Sequence, residues 1–211
     1  MLETGILNRG ANFKYPNGNQ LQPMPDPSDL SSNVKLAVNV LQNGGVIAYP
    51  TEYCFGLGCD PRDKKAVERL LRIKRRKAEQ GVILIAADAV QVEFYANLNG
   101  MKYKDTVLNS WPGPNTWLLP IKDTVPNFIK GKHSSIAMRV PQHEFCLALL
   151  NQFGHPIVST SANRSGQPEH LNFDSVRADI GNECDLVIDL PVGGAKRASV
   201  IRDAVTGATI R

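Results

Sequence analysis

Apolar positions along this chain fall into short runs of two kinds, one at helical and one at strand spacing. From about residue 33 to 43 they recur on one face (Val34, Leu36, Ala37, Val40, Leu41), after a Ser31-Ser32 pair suited to capping and before Gly44-Gly45, which end the helix. Residues 46–49 then form a compact strand that Pro50 stops, so Thr51 and Glu52 open a loop and Gly56 and Gly58 supply a tight return. Asp63 caps a helix through Ile73 whose buried stripe is Ala66, Val67, Leu70 and Leu71. Lys74 lies four residues after Leu70 and continues that stripe, so it faces inward while Arg75 points elsewhere.

Residues 82–87 are apolar throughout, as in a strand covered on both faces. The pattern continues with helices at 89–95 and 103–110, the loop 111–114, strands at 116–120 and 136–140, and a polar connection at 130–135. An amphipathic helix at 143–153 is closed by Gly154, and a strand at 156–160 runs into a Ser/Asn/Gly-rich segment. A helix at 174–180, a strand at 185–189, a segment at 198–203, a Thr206-Gly207 turn and 208–210 complete the chain. Mixed alternation of this sort predicts an α/β fold, a twisted mixed sheet with helices packed on it. Residues 1–29, rich in Asn, Gly and Pro without a sustained period, read as an N-terminal arm, and 30–211 as one domain.

Composition narrows the classes. The 211 residues suffice for one well-buried core, no apolar run reaches the ~18 residues that span a bilayer, and the N-terminus lacks a secretory core, so a cytoplasmic protein is expected. Four cysteines without a CxxC pair and four histidines without HxxxH spacing predict reduced thiols and no protein-built metal centre. The net charge of +4 excludes little, but eight basic residues lie between positions 64 and 77 against the single acid Glu68. A P-loop, a GxGxxG turn and a GxSxG elbow are all missing, and Cys54 reads as core.

Three polar groups remain, each at the end of a strand or helix: Thr51 with Glu52; Lys74 and Arg76; and Ser159, Thr160, Ser161 and Asn163. In α/β sheets ligands bind at strand ends, so the three groups fit one anion-binding crevice. Each also has a structural reading, as turn former, helix-dipole partner and helix cap respectively.

The segments AYPTEYCFGLGCDP, Lys74-x-Arg76 after RLLRI, SIAMRVP (135–141) and STSANRSG (159–166) resemble the signature of the TsaC/YrdC/Sua5 family, the threonylcarbamoyl-AMP synthases. The resemblance covers about residues 30–211 and matches the short form of the family. It implies a YrdC-like fold with a concave basic cavity. The implied activity is that of a nucleotidyltransferase making L-threonylcarbamoyladenylate and pyrophosphate from L-threonine, bicarbonate and ATP. That product serves the threonylcarbamoyl modification of adenosine 37 in tRNA. Mg²⁺ is expected on the phosphates, and tRNA and proteins of the transfer machinery are expected as partners. By the same resemblance Lys74 and Arg76 are catalytic and touch nucleotide; Thr51, Arg139 and Ser161 take threonine and bicarbonate. Ser159, Ser161, Asn163, Ser199 and Arg202 contact the nucleotide. The chain departs from the family pattern at Lys77 and Ala198, where proline is common. Two other readings compete: a non-catalytic RNA-binding module, and a related enzyme using another amino acid or carbamoyl phosphate.

Overall fold

The computed structural model describes residues 29–210; the predicted arm, 1–29, lies outside these residues apart from Asp29. Asp29, not Ser31 or Ser32, caps the first helix, α1 (Leu30–Gln42), because its extended backbone lets the carboxylate accept the Ser31 N–H at 3.0 Å. A strand, β1 (Ile47–Pro50), follows. The glycine-rich stretch expected to be a tight return is instead a second strand, β2 (Phe55–Gly58), antiparallel to β1 from Ile47↔Gly58 to Pro50↔Phe55. Glycine is required there for space. A Cβ on Gly58 would lie 2.7 Å from the Val158 carbonyl oxygen and 2.8 Å from the Tyr49 ring.

Next come α2 (Lys64–Ile73), capped by Asp63 as expected, a 3₁₀ turn (Ala78–Gln80), and β3 (Ile83–Ile85). The middle of the chain supplies α3 (Ala89–Val92), α4 (Lys104–Asn109), β4 (Asn115–Pro120), α5 (Asn127–Lys130) and β5 (Ser135–Arg139). It ends with α6 (Glu144–Phe153), β6 (Ile157–Val158), β7 (Thr160–Ser161), α7 (Phe173–Asp179), β8 (Leu186–Val187) and β9 (Val200–Asp203).

The fold is mixed α/β, and the strands are shared between two sheets, one ordered β7-β2-β1-β8 and the other β6-β3-β5-β4-β9. Both are mixed: β1 runs parallel to β8 and antiparallel to β2, while β5 runs parallel to β3 and antiparallel to β4. One core joins the two sheets to α2 through Phe55, Leu57, Leu70, Leu84, Trp117 and Met138. A second lies under α1 and α6 through Val40, Leu41, Ile47, Tyr49, Phe145 and Leu149. Leaving such side chains exposed would forgo roughly 1.5–3 kcal/mol each.

Candidate active site

The end of α2 explains the Lys-x-Arg spacing. Arg76 N–H reaches the Leu71 carbonyl and Arg75 N–H the Arg72 carbonyl, each at 2.9 Å, and Arg75 between them has φ +52°. These bonds form a Schellman turn, with a bulky residue in the left-handed position that glycine usually takes. Lys74 is thus the last helical step, and Arg76 leaves on the far side of a reversal.

Lys74 points inward, as its place on the stripe predicts, and is only 3% exposed. Its Nζ donates to the Ser161 carbonyl and, at 2.8 Å, to the Asn163 carbonyl, with Asn163 Oδ1 at 3.5 Å. Burial, and then the neighbouring Arg76 charge, lower its pKa to about 8. Arg76 lies along the following turn, with Nη2 donating to the Gly81 carbonyl at 3.0 Å. The 161–167 loop is folded beneath the helix end: Ser165 N–H bonds the Lys74 carbonyl at 2.9 Å, and Arg164 Nη1 bonds the Ile73 carbonyl at 3.1 Å. Its strand, β7, pairs with β2 at Gly56↔Ser161, which brings the loop to the β1–β2 hairpin.

On that hairpin Thr51 closes the turn: its N–H and hydroxyl both donate to the Cys54 carbonyl, at 3.1 and 2.7 Å. Next to it, Glu52 Oε2 accepts from Arg139 Nη2 at 2.9 Å, with the two side chains 15% and 11% exposed. Glu52 Oε1 accepts the Gln142 N–H at 2.7 Å. From the sequence Glu52 enters only as the neighbour of Thr51 in a strand-end polar group, with no role of its own; the signal available is an acid directly after the strand-end threonine. The Cys54 thiol, in the loop between Glu52 and β2, is raised to about 11 chiefly by burial and next by Glu169, with Arg139 and Lys74 acting against the rise.

The other candidates lie further out. Ser159 Oγ accepts from the Tyr49 hydroxyl at 2.7 Å. Ser199 and Thr116 share a hydroxyl bond of 2.8 Å, and the Arg202 guanidinium lies 5.8 Å from the Trp117 ring centre. Arg202 is level with Met138 through Trp117, two strands and roughly 10 Å from β5. The structure thus brings Lys74, Ser161 and Asn163 into contact and gathers Thr51, Glu52 and Arg139 at the hairpin with which β7 pairs. Ser199 and Arg202 form a separate edge. An open groove of about 830 Å³ is lined by Lys77, Ala78, Glu79, Gln80, Lys132 and His133, none of them a candidate site residue.

Comparison with known proteins adds the following. A model of the Sua5, YciO and YrdC proteins, described as "Telomere recombination", matches residues 39–211. Threonylcarbamoyl-AMP synthase of Coxiella burnetii is 42% identical over 183 residues, 87% of this chain and 98% of that protein. The synthase of Nitrosococcus oceani is 43% identical over 178 residues, 84% of this chain and 96% of that protein. Among solved structures, P. abyssi Sua5 complexed with L-threonine superposes with a TM-score of 0.76 at 30% identity. That match covers 83% of this chain and 51% of the Sua5 chain, so this chain spans about half of it. E. coli YciO matches with a TM-score of 0.71 at 26% identity, over 88% and 93% of the two chains.

Proposed function

The chain belongs to the Sua5–YciO–YrdC family, and we propose that it works as a threonylcarbamoyl-AMP synthase in which Lys74 and Arg76 gather the anions and Arg139 and Thr51 hold the amino acid. The activity is the one named for relatives that match it over nearly their whole length. The observation that carries the division of labour is the buried Lys74 ammonium, held by neutral carbonyls and crowded by a second cation. A cation so placed gains by meeting an anion.

On this reading the enzyme is a nucleotidyltransferase. The threonine amine bonds to the carbon of bicarbonate with loss of water. An oxygen of the resulting carbamate then attacks the α-phosphorus of ATP, and the bond to the leaving pyrophosphate breaks. At 4 Å a pair of unit charges is worth about 4 kcal/mol at an effective dielectric near 20, so two cations beside the α-phosphate are a substantial part of the barrier reduction. Arg139 offers its remaining donors to the threonine carboxylate. Ser161 and Asn163 hold Lys74 and the carbamate oxygens, and Ser159 lies behind them. Ser199 and Arg202 reach the nucleotide from the neighbouring sheet edge. The donors at Lys74 and Arg76 suit phosphates rather than a bare divalent ion, so Mg²⁺ enters on the phosphates of ATP. Product passes to the tRNA-modifying machinery in the cytoplasm, with the exposed Arg75 and Lys77 as contacts for tRNA; no helix among the described residues is long and apolar enough to cross a membrane.

The test is pyrophosphate release from ATP and bicarbonate with threonine, serine or carbamoyl phosphate offered in turn. Threonine should be preferred, and Lys74→Ala and Arg76→Ala should each lower the threonine-dependent rate at least a hundredfold without loss of cooperative unfolding. A salt-sensitive RNA affinity without any pyrophosphate release would favour the non-catalytic reading instead.

A further inference from the structure

We propose that Glu52 is a specificity-determining residue: it keeps the amino-acid end of the site at net zero charge, so that this end takes a zwitterion and turns away the anions gathered at Lys74. The inference rests on the roles proposed above for Arg139 and Lys74. Its basis is a contrast between two cations tied to the same hairpin, Lys74 through Ser161, which pairs with Gly56 of β2, and Arg139 through Glu52. Lys74 hydrogen-bonds only neutral groups, the carbonyls of Ser161 and Asn163 and the amide oxygen of Asn163, and the Glu169 carboxylate acts on it without a bond. Arg139 meets a carboxylate at 2.9 Å, in a pair whose members are both largely buried.

Glu52 is not free to swing away. One oxygen is on Arg139 and the other on the Gln142 N–H at 2.7 Å, while its backbone carbonyl accepts the Ala195 N–H at 2.8 Å. The residue therefore joins the β1–β2 hairpin to the loops after β5 and before β9 and fixes where its charge sits. Arg139, for its part, gives Glu52 only Nη2. A guanidinium has five N–H donors, so an edge remains for a substrate carboxylate.

Charge decides what uses that edge. An arginine without Glu52 would be a general anion site, open to bicarbonate, pyrophosphate or the tail of ATP, all of which this reaction concentrates nearby. With Glu52 beside it, an incoming anion gains one attraction and suffers one repulsion. An α-amino acid presents carboxylate and ammonium together and can satisfy both members of the pair. Discrimination then comes from a built-in repulsive element as much as from contacts with the right substrate.

The test uses calorimetric titration with L-threonine and, separately, inorganic phosphate. In the wild-type protein phosphate should compete with ATP but not displace threonine. Glu52→Gln should gain phosphate binding that threonine displaces, at least tenfold tighter than any threonine-sensitive phosphate binding of wild type. Glu52→Asp, which keeps the charge, should retain the wild-type preference. The double variant Glu52→Gln/Arg139→Gln, neutral again, should lose the gained phosphate affinity. Phosphate displacing threonine from wild type, no gain of threonine-sensitive phosphate binding in Glu52→Gln, or Glu52→Asp behaving as Glu52→Gln would each overturn the proposal. The wild-type competition experiment reads out even if Glu52→Gln fails to fold. Failure of the proposed function would be seen separately, as absence of threonine-dependent pyrophosphate release.

Discussion

Lys74 offers the sharpest quantitative test, because its environment moves an ordinary lysine into the working range of pH. Its pKa falls to about 8, first through burial and second through Arg76. Against an unfolded value near 10.4, that is about 3 kcal/mol disfavouring the charged form. If the ammonium holds the anions, kcat/KM for ATP, which reports the free enzyme, should fall above about pH 8 with a limiting slope of about tenfold per pH unit. Bound anions stabilise the ammonium, so the fall in kcat should come at higher pH. Lys74→Arg, with a guanidinium that does not titrate in this range, should lack the limb whatever its absolute rate. The same shift has a stability consequence with a definite sign. Between about pH 8 and 10.4 the unfolded chain holds a proton on Lys74 that the native protein has released, so this residue's contribution to stability rises with pH through that window. Measured as the difference between wild type and Lys74→Met in urea unfolding, the rise should approach 3 kcal/mol. The buried thiols of Cys59, Cys146 and Cys184, all raised by burial, act in the opposite direction in both proteins and cancel in the difference; Cys54, which feels Lys74, is replaced by alanine in both. A kcat/KM profile flat to pH 9.5, or an unchanged limb in Lys74→Arg, would refute the assignment.

Other substitutions test the scaffold around this residue. Arg75→Gly should raise stability by about 1 kcal/mol, read as an increase in melting temperature of roughly 2–4 °C, because it removes a side chain from the left-handed position at φ +52°. Asp185→Ala should lower stability by about 3 kcal/mol in urea unfolding. The carboxylate accepts the buried Val46 N–H at 2.7 Å and pairs with Arg69, so both would lose their partner. Thr51→Val should raise KM for threonine about tenfold while leaving KM for ATP within twofold in initial-rate assays, the loss of one hydrogen bond being worth about 1 kcal/mol or somewhat more when buried.

Local signals in the sequence were enough for the inward direction of Lys74, since a 3.6-residue period carries from Leu70 to a residue four positions later. The cap at Asp63 and the long helices were legible for the same reason. The reversal after Lys74 was not, because a Schellman turn is normally announced by glycine and here Arg75 occupies it. Gly56 and Gly58 misled in the opposite direction. Glycine marks both a turn and a close approach of backbones, and only the packing of Tyr49 and Val158 against β2 separates the two. Strands of two residues, such as β6, β7 and β8, are too short to establish a period. The Arg139–Glu52 pair joins positions 87 residues apart, so it depends on how the two sheets meet rather than on any local pattern.

The hydroxyls at the site can be sorted by which half of each is already spent. Thr51 gives its hydrogen to the Cys54 carbonyl, so what it offers a ligand is lone pairs, and its partner must be a donor. A threonine amine or hydroxyl meets that requirement; a carboxylate or phosphate does not. Ser159 is the reverse case: its oxygen accepts from Tyr49, and its own hydrogen remains available for an anion. Lys74 follows the same logic. Two of its three N–H groups are on backbone carbonyls that fix its place, while the third faces Asn163 Oδ1 at 3.5 Å, a distance too long for a good bond. That loose contact is the one an incoming anion can replace without disturbing the other two. On the proposed function the donor pattern would separate an amino-acid side, where Thr51 accepts and Arg139 is balanced by Glu52, from an anion side, where Lys74 has a hydrogen to give and Ser159 another behind it. On the same proposed function, threonine and the phosphates would be told apart by which half of a hydrogen bond each must supply as well as by charge.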